Sequence, residues 1–140
     1  MNNNDKVYKL LYNLGLEDNE IEEIYKVNVY LSKVLASDVL QLLKYFEEQG
    51  LNVEEIIEVS IKNPWVLTED FQRLRWLEKV YSSIGIEKEK YKELIIKYPI
   101  SISLNPVDVE KKIDELEAEG MTKEEIKEKL FAEFDNYFEL

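Results

Sequence analysis

Four glycines stand at positions 15, 50, 85 and 120, each 35 residues after the last, and the chain has no others. Each is followed by a large apolar residue: Leu16, Leu51, Ile86 and Met121. Five residues further on come Ile21, Ile56, Tyr91 and Ile126. At the fifteenth position of each unit stand Val29, Pro64, Pro99 and Phe134. Self-similarity at this period marks a stack of supersecondary modules, none of which buries its apolar face alone. The period therefore restricts the chain to an array of like modules before any single residue is interpreted.

The stretch "GLNVEEIIEVSIKNP" shows how one module is built. Gly50 closes the preceding helix, where a left-handed residue suits the position after the C-cap. Asn52 caps the next helix, and Glu55 completes a capping box. "GMTKEEI" repeats the device with Thr122 and Glu125. Ile56 and Val59, like Ile21, Ile24 and Tyr25, fall at helical spacing, so a short amphipathic helix A is predicted. Proline pushes the residue before it out of the α region, so helix A ends near Asn63 and Tyr98. The apolar stretches after each proline, "WVL" and "ISISL", are too short for a full helix and form a 3₁₀ turn or an extended plug. Val29 and Phe134 replace proline in the first and last units, so punctuation is relaxed there.

A second helix, B, follows. Thr68 is expected to cap it in one unit, with Glu69 and Asp70 in its first turn, and Asn105 in the next, with Pro106 at the first helical position. Phe71, Leu74, Leu77, Tyr81 and Ile84 form its buried stripe, with Trp76 alongside, as do Val39, Leu42, Leu43 and Phe46 one unit earlier. Residues 5–14 match a B helix and residues 122–137 an A helix. The expectation is an all-α array of about eight helices in one domain, residues 1–140, with units 1–14, 15–49, 50–84, 85–119 and 120–140. Glu93–Lys97, Asp108–Lys112 and Glu125–Lys129 are spaced for i,i+4 ion pairs on solvated faces.

The runs "LLYNLGLEDNEIEEI", "GLNVEEIIEVSIKNPWVL", "LRWLEKVYSSIGI" and "KELIIKYPISI" resemble repeats of the mitochondrial transcription termination factor (mTERF) family. Gly50, Ile56, Pro64, Leu67 and Leu77 match the motif in one unit, and Gly85, Leu94 and Pro99 in the next. The resemblance implies a superhelix of helix–3₁₀–helix units that binds DNA or RNA through a positively charged concave face.

Charge argues against that mode of binding. The net charge is −12, from 30 acids and 18 bases. Residues 15–49 carry eight acids against three bases, and no later unit is neutral. Phosphate affinity depends on cation–phosphate pairs and counterion release, which this balance opposes. The chain has neither cysteine nor histidine, so disulfides, thiolate metal sites and His-based catalysis are excluded. No cofactor motif is present, and carboxylates on exposed helix faces lack the burial that tunes a general acid. Neither a signal peptide nor a membrane span is recognisable, which points to a cytoplasmic protein, in a bacterial or phage-host cell by composition.

Three groups are candidates for partner binding. The run "EDNEIEEI" presents Glu17, Asp18, Glu20, Glu22 and Glu23, which mimic a phosphate strand or are simply a solvated helix start. Arg73 and Arg75, the only arginines, stand beside Trp76 on one B helix, with Lys62 and Lys79 near in sequence. They suit single-strand stacking or form an ordinary helix surface, and their spacing puts them on different faces. Trp65 has Tyr30, Ile100 and Asp135 as counterparts, too varied for a strict core slot. Tyr8, Tyr12, Tyr30, Tyr45 and Tyr98 are interface anchors or core. The reading is a non-enzymatic repeat protein that binds a macromolecule, foremost a protein with a basic surface. Its sharpest form is a nucleic-acid-mimicking inhibitor of the anti-CRISPR or similar phage type, and its alternative is a DNA- or RNA-binding regulator.

Overall fold

In the computed structural model, backbone is described for residues 3–139 and side chains for residues 6–136. Eight α-helices and three 3₁₀ segments follow one another, with no strand among the described residues. In order they are α1 (Asn3–Leu14), α2 (Asp18–Val27), η1 (Val29–Ser32), α3 (Ala36–Glu48), α4 (Val53–Lys62) and η2 (Pro64–Thr68). Then come α5 (Phe71–Ser82), α6 (Lys88–Lys97), η3 (Pro99–Ile102), α7 (Pro106–Ala118) and α8 (Lys123–Glu139). The chain gathers into two compact units, one ending at Phe71 and the other beginning at Gln72.

All four glycines have positive φ, between 87° and 126°. Each opens the same helix-ending motif. The N–H groups of Leu16, Leu51, Ile86 and Met121 donate to the carbonyls of Leu11, Phe46, Tyr81 and Leu116 at 3.0–3.2 Å. This six-to-one bond satisfies a carbonyl the helix would leave open, and it seats the following apolar residue against the last turn. At Gly15 the site is also tight, since an added Cβ would lie 3.2 Å from Ile57 Cδ1.

Capping boxes start the A helices where the sequence calls for them. Glu55 N–H donates to Asn52 Oδ1 at 2.8 Å, and Asn52 N–H to Glu55 Oε1 at 2.9 Å. Thr122 and Glu125 exchange the same pair at 3.0 and 3.2 Å. These bonds hold the Glu125 carboxyl below the usual carboxylate range, chiefly through the Thr122 backbone. Helices α4 and α6 stop with Asn63 and Tyr98 as C-caps, and both 3₁₀ segments begin at the proline itself.

Substitution of the proline has opposite outcomes at the two ends. Around Phe134, α8 continues unbroken. At Val29, however, the chain still breaks into 3₁₀. The cause is Asn28, which is fully buried and caps α2. Its Nδ2 donates to Pro64 O at 3.0 Å and Thr68 Oγ1 at 3.1 Å in the next repeat. A tertiary tie does there what proline does elsewhere. Thr68 therefore does not cap helix B. Its hydroxyl belongs to η2, donating to Trp65 O at 3.2 Å, and α5 begins only at Phe71.

The core follows the predicted stripes. Val39, Leu42, Leu43 and Phe46 are buried, as are Leu74, Leu77, Tyr81 and Ile84, while Phe71 is only half-buried. Tyr45 and Val80 join them, outside the stripes read from sequence. The expected i,i+4 ion pairs give way to other partners. Lys112 reaches Glu133 on α8, Glu93 accepts from Lys90, and Glu125 serves its cap.

Candidate interaction surface

Within the first unit, the ends of α2 and α4 and the segments η1 and η2 lie side by side. The second residue of each 3₁₀ segment points outward. Tyr30 is 57% exposed and Trp65 41%, and their rings lie 6.1 Å apart at 53°. Residues one repeat apart thus form a tilted aromatic pair on the surface. Val27, Val29 and Ile61 are exposed on the same elements. The pair stands out because the residues that follow it in each 3₁₀ segment turn inward: Leu31 after Tyr30, and Val66 and Leu67 after Trp65, are buried.

The acidic run lies elsewhere. Glu17, Asp18, Glu22 and Glu23 are exposed and Glu20 half-buried, at the start of α2. Helix α2 has ten residues, so about 15 Å separates that start from the aromatic end. Several of these acids have internal work. Glu17 N–H donates to Glu20 Oε1 at 2.8 Å, and Lys26 pairs with Glu23 at 3.0 Å. The Tyr8 hydroxyl donates to Asp18 Oδ1 at 2.5 Å, and this bond raises the phenol to about 12. Tyr8 also stacks on Tyr25 at 6.5 Å. The run is thus an acidic helix start tied into its own unit.

Arg73, Arg75 and Trp76 belong to the second unit, on α5. Arg73 is half-buried and reaches the end of η3: Nη1 donates to Leu104 O at 2.6 Å and Nη2 to Ile102 O at 2.8 Å. Its guanidinium fork fits two adjacent carbonyls, a geometry lysine cannot reproduce. Arg75 is exposed, and Trp76 is 45% exposed. Nearby, Tyr81 is buried with its hydroxyl on Ser101 O at 2.6 Å, and burial raises its phenol. Tyr91 donates to Leu74 O at 3.2 Å.

The tyrosines divide accordingly. Tyr45 and Tyr98 are core, whereas Tyr12 and Tyr30 are exposed. Tyr98 donates to Asp135, which holds its phenol above the ordinary value. The pairing of Tyr30 with Trp65 was missed by sequence reasoning. The 35-residue spacing between them carries that signal, since equal positions in adjacent modules come side by side.

Among the described residues, no group of acids, His or Cys could hold a metal ion, and no helix is long and apolar enough to cross a membrane. The family model for mTERF matches residues 1–137. The chain belongs to the mTERF family, whose members are helical-repeat proteins of the nucleic-acid-binding, generally non-enzymatic type. No curated protein and no solved structure matches it.

Proposed function

We propose that this mTERF-family chain is a non-catalytic binding module whose partner is a protein with a basic, arginine-bearing surface. The observation that carries the reading is the exposed Tyr30–Trp65 pair in a unit with 14 acids and six bases. Trp and Tyr faces attract a guanidinium, and tryptophan and tyrosine are the residues most enriched at interface hot spots. At low ionic strength the unit's negative field steers a basic surface toward it and repels phosphate, an effect that weakens as salt rises. A partner whose basic groove ordinarily holds nucleic acid would be occupied competitively, which makes the chain an inhibitor.

Family membership and the stackable aromatic pair favour a second reading, binding of single-stranded nucleic acid. One experiment separates the two. The tagged chain is used to capture binders from its native host, with and without nuclease, and the eluate is analysed for protein and nucleic acid. A protein that survives nuclease and is lost with Trp65→Ala, at unchanged melting temperature, supports the first reading. Nucleic acid without protein, released by moderate salt, overturns it. Trp76→Ala serves as the exposed-tryptophan control.

A further inference from the structure

A second surface of the first unit has the opposite charge character. Helices α1 and α3 lie against each other, and an open groove runs between them toward the start of α4. Its two adjoining lobes, of about 630 and 340 Å³, share Leu10, Asn13 and Leu40. On α1 the wall is Lys6, Lys9, Leu10 and Asn13, which is one helical face at i, i+3, i+4 and i+7. On α3 it is Ala36, Ser37, Leu40, Leu43, Lys44 and Glu47, again one face. Leu40 is 40% exposed and Val53 is 51% exposed, so the floor is apolar and open to solvent.

The charges around this groove run against the rest of the unit. Three of the unit's six bases, Lys6, Lys9 and Lys44, line it, against one acid, Glu47. None of the three lysines forms an ion pair among the described residues. At physiological salt, charges beyond about 8 Å are largely screened, so a ligand in the groove senses these lysines rather than the net charge of the whole chain. The cavity of the second unit differs. It is about 360 Å³, and Lys112 there is neutralised by Glu133, with Asp108 beside them, so its lining is not cationic.

We propose that the α1–α3 groove docks an acidic amphipathic helix of a partner protein. The groove wall from Ala36 to Glu47 covers 12 residues, about 18 Å of helix, which matches three turns of a docked helix. Leucine-type side chains at i, i+3, i+4 and i+7 fill the floor, and flanking carboxylates meet Lys6 and Lys9 on one rim and Lys44 on the other. This surface is separate from the aromatic pair.

The test uses two synthetic peptides of equal composition, rich in Leu and Glu. One arranges its leucines at i, i+3, i+4 and i+7, and the other scrambles them. Binding to the full chain is read by fluorescence anisotropy at physiological salt. The arranged peptide should bind at least about tenfold more tightly than the scrambled one. Leu40→Glu should weaken it about tenfold, and so should Lys9→Glu combined with Lys44→Glu, while Trp65→Ala leaves it unchanged. These side chains are solvent-facing, so the variants should fold, as circular dichroism checks. Equal binding of the two peptides, or insensitivity to both groove variants, overturns the proposal. Two further outcomes also overturn it. In one, the chain self-associates and Leu40→Glu makes it monomeric without any peptide binding. In the other, the lysines capture phosphatidylglycerol vesicles but no peptide.

Discussion

Replacing Arg73 separates a structural arginine from a ligand-binding one. Two of its hydrogen bonds, to Leu104 O at 2.6 Å and Ile102 O at 2.8 Å, hold the end of η3 against α5. Bonds from a charged donor contribute about 1.5–3 kcal/mol each. The side chain is half-buried, so water competes and the lower value applies, or about 3 kcal/mol for Arg73→Leu. Arg73→Lys keeps the charge but replaces a two-pronged donor by a single point, so about half of that is lost. Arg75→Leu, on an exposed position two residues along where solvent screens any polar contact, should cost no more than about 1 kcal/mol. The assay is equilibrium urea unfolding in a Trp65→Phe background, where Trp76 emission reports on the second unit, with far-ultraviolet circular dichroism alongside. The order Arg73→Leu, Arg73→Lys, Arg75→Leu, from most to least destabilised, is expected. Equal stability of Arg73→Lys and the parent would refute the fork geometry. Indistinguishable leucine variants at 73 and 75 would refute any structural role.

Other consequences are as direct. Gly15→Ala forces a side chain onto a φ of 126° with Ile57 Cδ1 at 3.2 Å, whereas Gly120→Ala meets open space. Both should lower the melting temperature, Gly120→Ala by the equivalent of about 1–2 kcal/mol and Gly15→Ala by more. Asn28→Ala removes two hydrogen bonds from a fully buried side chain, at a cost of about 2 kcal/mol by denaturant titration. It should also let α2 continue into Val29, which hydrogen exchange detects. The Tyr8 phenol, raised to about 12 by Asp18, favours the protonated form when folded. Its contribution to stability is therefore complete below the unfolded value of about 10 and is lost as pH rises through 12. Tyr81 and Tyr98 also ionise late, so ultraviolet titration should show one fewer late-ionising tyrosine in Asp18→Asn than in the parent.

Much of the local structure was legible because its causes are local. Gly50, Asn52, Glu55 and Pro64 lie within one short stretch, and each acts on backbone a few residues away, so the module's start and stop appear in its letters. The break at Val29 was not legible in this way. Its cause, Asn28, acts through Pro64 and Thr68, 36 and 40 residues on. Thr68 failed as a helix cap for the same reason, its hydroxyl being engaged by Trp65 O and Asn28. The candidate site was legible by residue and not by arrangement. Trp65 could be singled out as variable between modules, but its partner Tyr30, 35 positions earlier, becomes a neighbour only when modules stack.

By itself the sequence determined the all-α class, the 35-residue module, the glycine-closed helix ends, the proline breaks and the acidic character. Those rest on backbone sterics, capping bonds and composition, which need no knowledge of the fold. Tertiary structure alone decided which charged and aromatic groups face solvent. It turned Arg73 inward onto carbonyls, turned Tyr30 and Trp65 outward as a pair, and set Lys6, Lys9 and Lys44 around one apolar groove. The exposure of a side chain depends on what packs against its module, and that is written in residues a full repeat away.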